Sequence, residues 1–238
     1  MERLVLVHGS VTGGRPTWTV QRSGLRDQFD LLVLERPGFP PNPPVASVDF
    51  DHHAQLLVEQ LRSGDHLVGH SYGGVIALLA AGAATDRLRS LTVIEPPCTR
   101  VAAGHPAVDR FAEDGRRWWA EGPKDDPEAF LRGFLHYVGS DFDPPSPLST
   151  ELEQGARTLM VERGPWEADI PLAALAAARM PTLVVSGAHH AAFDAICDVL
   201  EKRLHGERLV LPGYGHAPQR HPDFNDALAS FVERSARR

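Results

Sequence analysis

Short apolar runs recur along the chain: Arg3–Val7 (RLVLV), Phe29–Leu34, the piece before Gly69, Leu91–Ile94 (LTVI), Thr182–Ser186 (TLVVS) and Arg208–Leu211. Each is too short for a buried helix, rich in Leu and Val, and closed by Gly, Pro or a charged residue. Such runs read as strands buried on both faces. Between them the spacing turns helical, around Trp18, over Phe50–Leu61 with Asp49 placed to cap it, through Val75–Ala81, over Phe193–Leu204 and over Phe224–Val232. The alternation predicts an α/β protein with a mostly parallel sheet of about six strands and helices on both faces.

The texture changes between residues 99 and 179. Strand-like runs vanish, and helical patterns appear around Val108–Ala120, Pro127–Val138 and Leu148–Val161, separated by loops rich in Pro, Gly and Asp. This predicts a helical lid, 99–179, inserted after the fourth strand into a core made of 1–98 and 180–238. The insertion leaves the sheet at its carboxyl edge, where open α/β sheets bind ligands.

Gly69-His70-Ser71-Tyr72-Gly73 joins the third strand to the helix after it. The G-x-S-x-G spacing suits a nucleophile elbow, in which a sharp turn presents the serine and glycines give way to crowded backbone. A serine nucleophile needs a base within hydrogen-bond reach. His216, in the loop Pro212–Pro218 after the last strand, emerges at the same sheet edge. The base in turn needs a carboxylate, and two fit the order Ser, acid, His. Glu95 leaves the fourth strand directly; Asp194 follows the fifth by several residues. Glu95 is favoured, with a buried pair to an arginine such as Arg36 as its structural alternative. Backbone N–H groups of Tyr72 and Ser10 are placed to receive an oxyanion. His8 and His70 read as supports for the site, and His66, His105, His205 and His221 as surface or helix residues. The pairs His52-His53 and His189-His190 do not share a face, so no metal is expected.

Composition narrows the function classes. The net charge is −7 with no basic stripe, which argues against nucleic acid as a partner. Two cysteines without a C-x-x-C spacing argue against a disulfide framework or zinc site. The first strand ends at His8-Gly9, too early for a signal-peptide core, and no apolar run is long enough for a membrane. A cytoplasmic protein acting on a small molecule without a cofactor is the expectation.

These residues resemble the α/β-hydrolase superfamily over nearly the whole chain. The resemblance rests on Leu6-Val7-His8-Gly9 with Trp18 downstream, Glu35-Arg36-Pro37-Gly38-Phe39, Gly69-His70-Ser71-Tyr72-Gly73-Gly74, Pro181–Gly187 and Gly215-His216. It implies a compact member that lacks the family's two leading strands. The family usually carries its acid as G-x-x-D after the penultimate strand, where this chain has Gly187-Ala188-His189-His190. A minority of relatives place the acid after the strand following the elbow, which supports Glu95. The expected activity is cleavage of an ester, thioester or lactone through Ser71, His216 and Glu95 and an acyl-enzyme. Trp118, Trp119, Phe134, Tyr137 and Trp166 make the lid aromatic and suit a fairly apolar substrate. Carbon–carbon bond hydrolysis or acyl transfer on the same triad, and non-catalytic binding of a small molecule, remain open at this point.

Overall fold

A computed structural model describes residues 1–237. Chain order runs β1 (Arg3–Val7), α1 (Gly14–Thr17), α2 (Thr19–Gly24), β2 (Asp30–Leu34), α3 (Phe50–Gln60), β3 (Asp65–His70), α4 (Tyr72–Ala83) and β4 (Leu88–Ile94). Four α-helices follow before the next strand: α5 (Pro106–Glu121), α6 (Pro127–Tyr137), α7 (Thr150–Met160) and α8 (Leu172–Ala178). The chain closes with β5 (Thr182–Ser186), α9 (Ala191–Leu204), β6 (Glu207–Val210) and α10 (Phe224–Ala236).

The six strands form one sheet in the order β2-β1-β3-β4-β5-β6, and every pair is parallel. Period-two alternation explains why both faces are apolar. Val5, Val7, Leu67, Leu91 and Val93 pack under α3, α4 and α9. Leu4, Leu6, Val68, Ile94 and Val185 face Trp18, Leu25 and the α10 residues Leu228 and Phe231. Local signals set the helix starts: Asp49 accepts from the backbone N–H of Asp51 and His52, Asp126 from Ala129, and Ser149 from Leu152.

β4 begins at Leu88, three residues before its apolar run, because Leu88 and Ser90 face inward while Arg89 points to solvent. His66 is not the surface residue its sequence context suggests. It lies fully buried on β3, with Nδ1 2.7 Å from the Ser90 hydroxyl. All of α5 to α8 lie between β4 and β5, so the predicted helical excursion sits where the change in texture placed it. The sheet register brings strand ends together in turn: Val7 pairs with Gly69, Gly69 with Val93, and Ile94 with Val185. Residues that follow these positions therefore share one edge.

Candidate active site

Ser71 stands at the junction of β3 and α4 with φ 54° and ψ −125°, left-handed backbone that a non-glycine residue adopts only under constraint. The constraint is crowding. A Cβ on Gly73 would come within 2.3 Å of the His8 carbonyl oxygen, and one on Gly69 within 2.5 Å of that of Gly73. The Ser71 N–H donates to the Ile94 carbonyl at 2.8 Å, which anchors the turn to β4.

A relay of hydrogen bonds starts at this serine. Its Oγ lies 2.8 Å from His216 Nε2, and His216 Nδ1 lies 2.7 Å from Glu95 Oε2. His216 reaches the site from the loop after β6; the His70 Nε2–H donates to its carbonyl at 2.7 Å, and Phe193 stacks on its ring with centroids 4.4 Å apart. Glu95 has φ 46° and is fully buried. Its Oε1 accepts the Gly187 N–H at 2.6 Å and lies 3.1 Å from His189 Nδ1. Burial alone would push this carboxyl up. The His189 and His216 rings beside it outweigh burial and hold the group at about 2. Asp194 is directed elsewhere: it accepts from the Ser186 hydroxyl at 2.8 Å and lies 3.6 Å from Arg208.

Ser10 and Tyr72 line the same cleft as Ser71. Neither backbone N–H has a hydrogen-bond partner among the described residues, so both are free to serve an anion beside Ser71. The loop that carries Ser10 is fixed from below. The Ser10 hydroxyl donates to Glu162 Oε2, whose other oxygen lies 2.8 Å from Arg36, and Arg36 also donates to the Gly9 carbonyl at 2.8 Å. Arg36 lies over the Tyr72 ring at 4.7 Å. Glu95 thus has no pair with Arg36; that partner is Glu162, whose carboxyl burial pushes up against the pull of Arg36. Nothing in the local pattern around Glu162 marks it, since its partners come from the ends of β1 and β2.

Two spaces meet at Ser71. The inner one is a slot of about 20 Å³ walled by Phe111, Trp119, Phe134, Tyr137, Trp166 and Phe193. The outer one is a groove of about 880 Å³ that runs from Ser71 and His216 past Thr12, Pro41 and Leu152. Trp118 belongs to neither. Its ring lies over Gly133 of α6 and against Phe130, at 5.5 Å, because neighbouring residues on a helix point about 100° apart and Trp119 takes the inward direction.

Glu95, His189 and His216 bring a carboxylate and two imidazoles within 4.8 Å of one another. Both carboxylate oxygens accept hydrogen bonds there, Oε1 from the Gly187 N–H and Oε2 from His216 Nδ1. The approach of His189 to Glu95 leaves no mark in the local sequence. Its signal is the pairing of β4 with β5, which sets the residues after Ile94 and Val185 side by side.

Residues 4–225 match the family model described as the alpha/beta hydrolase family. The chain is 27% identical over 245 residues to a pimeloyl-[acyl-carrier protein] methyl ester esterase of Pectobacterium carotovorum subsp. carotovorum (strain PC1), covering 97% of this chain and 94% of that one. Among solved structures it resembles MenH from S. aureus, with a TM-score of 0.73 at 17% identity over 98% of this chain and 94% of that one. It also resembles a thermophilic esterase from Thermogutta terrifontis, with a TM-score of 0.71 at 20% identity over 99% and 91%.

Proposed function

This chain belongs to the alpha/beta hydrolase family, and from that premise we propose that it is a hydrolase of esterase type with Ser71 as its nucleophile. The observation that carries this reading is the unbroken relay from Ser71 Oγ through His216 to Glu95, with links of 2.8 and 2.7 Å at the meeting point of two cavities. In this reading His216 Nε2 takes the Ser71 proton as Oγ attacks the substrate carbonyl. Glu95 fixes the tautomer of His216 and balances the charge of the imidazolium. The free N–H groups of Ser10 and Tyr72 hold the oxyanion of the tetrahedral intermediate. His216 then returns the proton to the leaving alcohol or thiol, and water releases the acyl group by the same route.

Residues 99–179 act as a lid over this site, and Trp119, Phe134, Tyr137 and Trp166 provide its substrate-facing surface. The two spaces suit an unequal substrate. A slot of about 20 Å³ has room for about one or two heavy atoms, whereas the groove takes an extended chain. The preferred substrate is therefore an ester or thioester with a one- or two-carbon group on one side of the scissile carbonyl linkage, rather than a lactone, whose ring joins the two sides. The relative from Pectobacterium, whose name specifies a methyl ester, is consistent with this asymmetry.

A fluorophosphonate probe tests the nucleophile. Intact mass is expected to show one adduct on the native protein and none on Ser71→Ala. Absence of an adduct on folded native protein, or equal labelling of the variant, refutes the assignment.

A further inference from the structure

Glu95 serves two histidines, and the second has a surrounding of its own. His189 Nδ1 lies 3.1 Å from Glu95 Oε1, and its Nε2 lies 3.0 Å from the Val138 carbonyl oxygen at the end of α6. Both neighbours are acceptors with no proton to offer. A neutral imidazole carries one N–H, so it would leave a nitrogen lone pair facing an acceptor on one side. The imidazolium presents an N–H on both sides. The Nδ1 contact is close but not aligned as a full hydrogen bond, so what it contributes is charge more than direction. Its backbone also constrains it, since Ala188 before it has φ 50°.

We propose that His189 is a positioning residue held as an imidazolium, which balances the second oxygen of Glu95 and thereby moderates the pull of Glu95 on the His216 proton. The proposal rests on the reading of Ser71, His216 and Glu95 as the reacting set. Without His189, the full charge of a buried carboxylate would act on His216 and favour its protonated, inactive form at mildly acidic pH. With it, the base stays free to lower pH. The same imidazolium joins the insertion to the acid, because Val138 closes α6 while Glu95 ends β4.

The charged and titratable groups around His189 agree with this state. Glu95 faces it from the end of β4 and Asp194 from the first turn of α9. His216 stands across from it with ring centroids 5.8 Å apart, and His190 adjoins it at 6.1 Å. Asp141 from the segment after α6 packs against Gly215, beside the His216 loop. Burial lowers the His189 imidazole, but Glu95, the Val138 carbonyl and Asp194 outweigh it and raise the ring above its ordinary value.

The test follows kcat/KM for p-nitrophenyl acetate against pH in the native protein and in His189→Asn, with Ser71→Ala and Glu95→Gln beside them. A unit charge removed from 5.8 Å at an effective dielectric of about 20 to 40 moves a proton equilibrium by about one to two pH units. The acidic limb of His189→Asn is expected to rise by that amount, with KM little changed. An unmoved limb in a folded variant, while Ser71→Ala and Glu95→Gln are inactive, overturns the proposal alone. Activity in Ser71→Ala or Glu95→Gln would instead overturn the reacting set, and the proposal with it. Nitrogen-15 spectra of the native protein give a second measurement that needs no folded variant. Two protonated nitrogens on His189 at pH 7 support the proposal, and one refutes it.

Discussion

Replacing Glu95 by glutamine exchanges one oxygen for an NH2 group, yet the surroundings leave that amide no good orientation. The native carboxylate accepts from the Gly187 N–H at 2.6 Å and from His216 Nδ1 at 2.7 Å, with His189 Nδ1 at 3.1 Å. A glutamine has one acceptor oxygen. Directed to the Gly187 N–H, it turns the NH2 group toward His216 and stabilises the tautomer whose Nδ1 accepts. Nε2 then carries the proton and cannot receive one from Ser71. Directed to His216, it sets the NH2 group against the Gly187 N–H, donor to donor in a buried site. The first orientation costs less, so the variant folds with the wrong tautomer. The expected loss is about 10³- to 10⁴-fold in kcat, about 4 to 5.5 kcal/mol of barrier. The loss of stability is smaller, about 1 to 3 kcal/mol. Steady-state hydrolysis of p-nitrophenyl acetate and a thermal melt measure the two effects, with Asp194→Asn as comparison. Asp194 bonds Ser186 and not His216, so its variant is expected to keep kcat within about threefold of the native value. A Glu95→Gln protein with native kcat and melting point, or an Asp194→Asn protein that is folded and inactive, would refute the reasoning.

Trp119→Ala removes a wall of the inner slot; with the acyl group in that slot, the ratio of kcat/KM for p-nitrophenyl hexanoate over acetate should rise about tenfold or more, and an unchanged ratio would show that the slot does not receive the acyl group. Arg36→Met leaves the Glu162 carboxylate buried without its partner and should cost about 3 to 5 kcal/mol in urea unfolding, part of it recovered by adding Glu162→Gln. Burial, with Arg36 nearby for one and His216 for the other, lowers His53 and His70 from 6.5 to about 3. Their folded values lie below the unfolded one, so the unfolded chain binds more protons between pH 6.5 and 3 and stability falls as pH drops through that window. The slope is about 1.4 kcal/mol per pH unit for each ring well inside it, and urea midpoints that stay level from pH 7 to 5 would contradict it.

What the sequence made legible follows from the range of the interactions involved. Strands such as Arg3–Val7 and Thr182–Ser186 are apolar on both faces, so composition alone reveals them. The elbow shows itself because its crowding requires glycine at Gly69 and Gly73. His66 and Ser90 are buried polar residues that meet across two paired strands, and neither position shows its partner. The tryptophans at 118 and 119 look equivalent in a string of letters, and only the helix turn separates them. Arg36 and Glu162 are 126 positions apart, and Glu95 meets His189 across two paired strands. Such contacts belong to topology, which local pattern does not encode.

The ties between the insertion and the sheet bear on how molecules come and go. Glu162 holds Arg36, the Tyr72 hydroxyl donates to the Arg163 carbonyl at 3.0 Å, and the Thr158 hydroxyl donates to that of Gly38 at 2.7 Å. Displacing the insertion at this seam has to part the ion pair and both hydrogen bonds, whereas the groove that leads to Ser71 is already open beside it. On the proposed reading, small molecules would reach and leave Ser71 sideways along that groove, with the insertion in place.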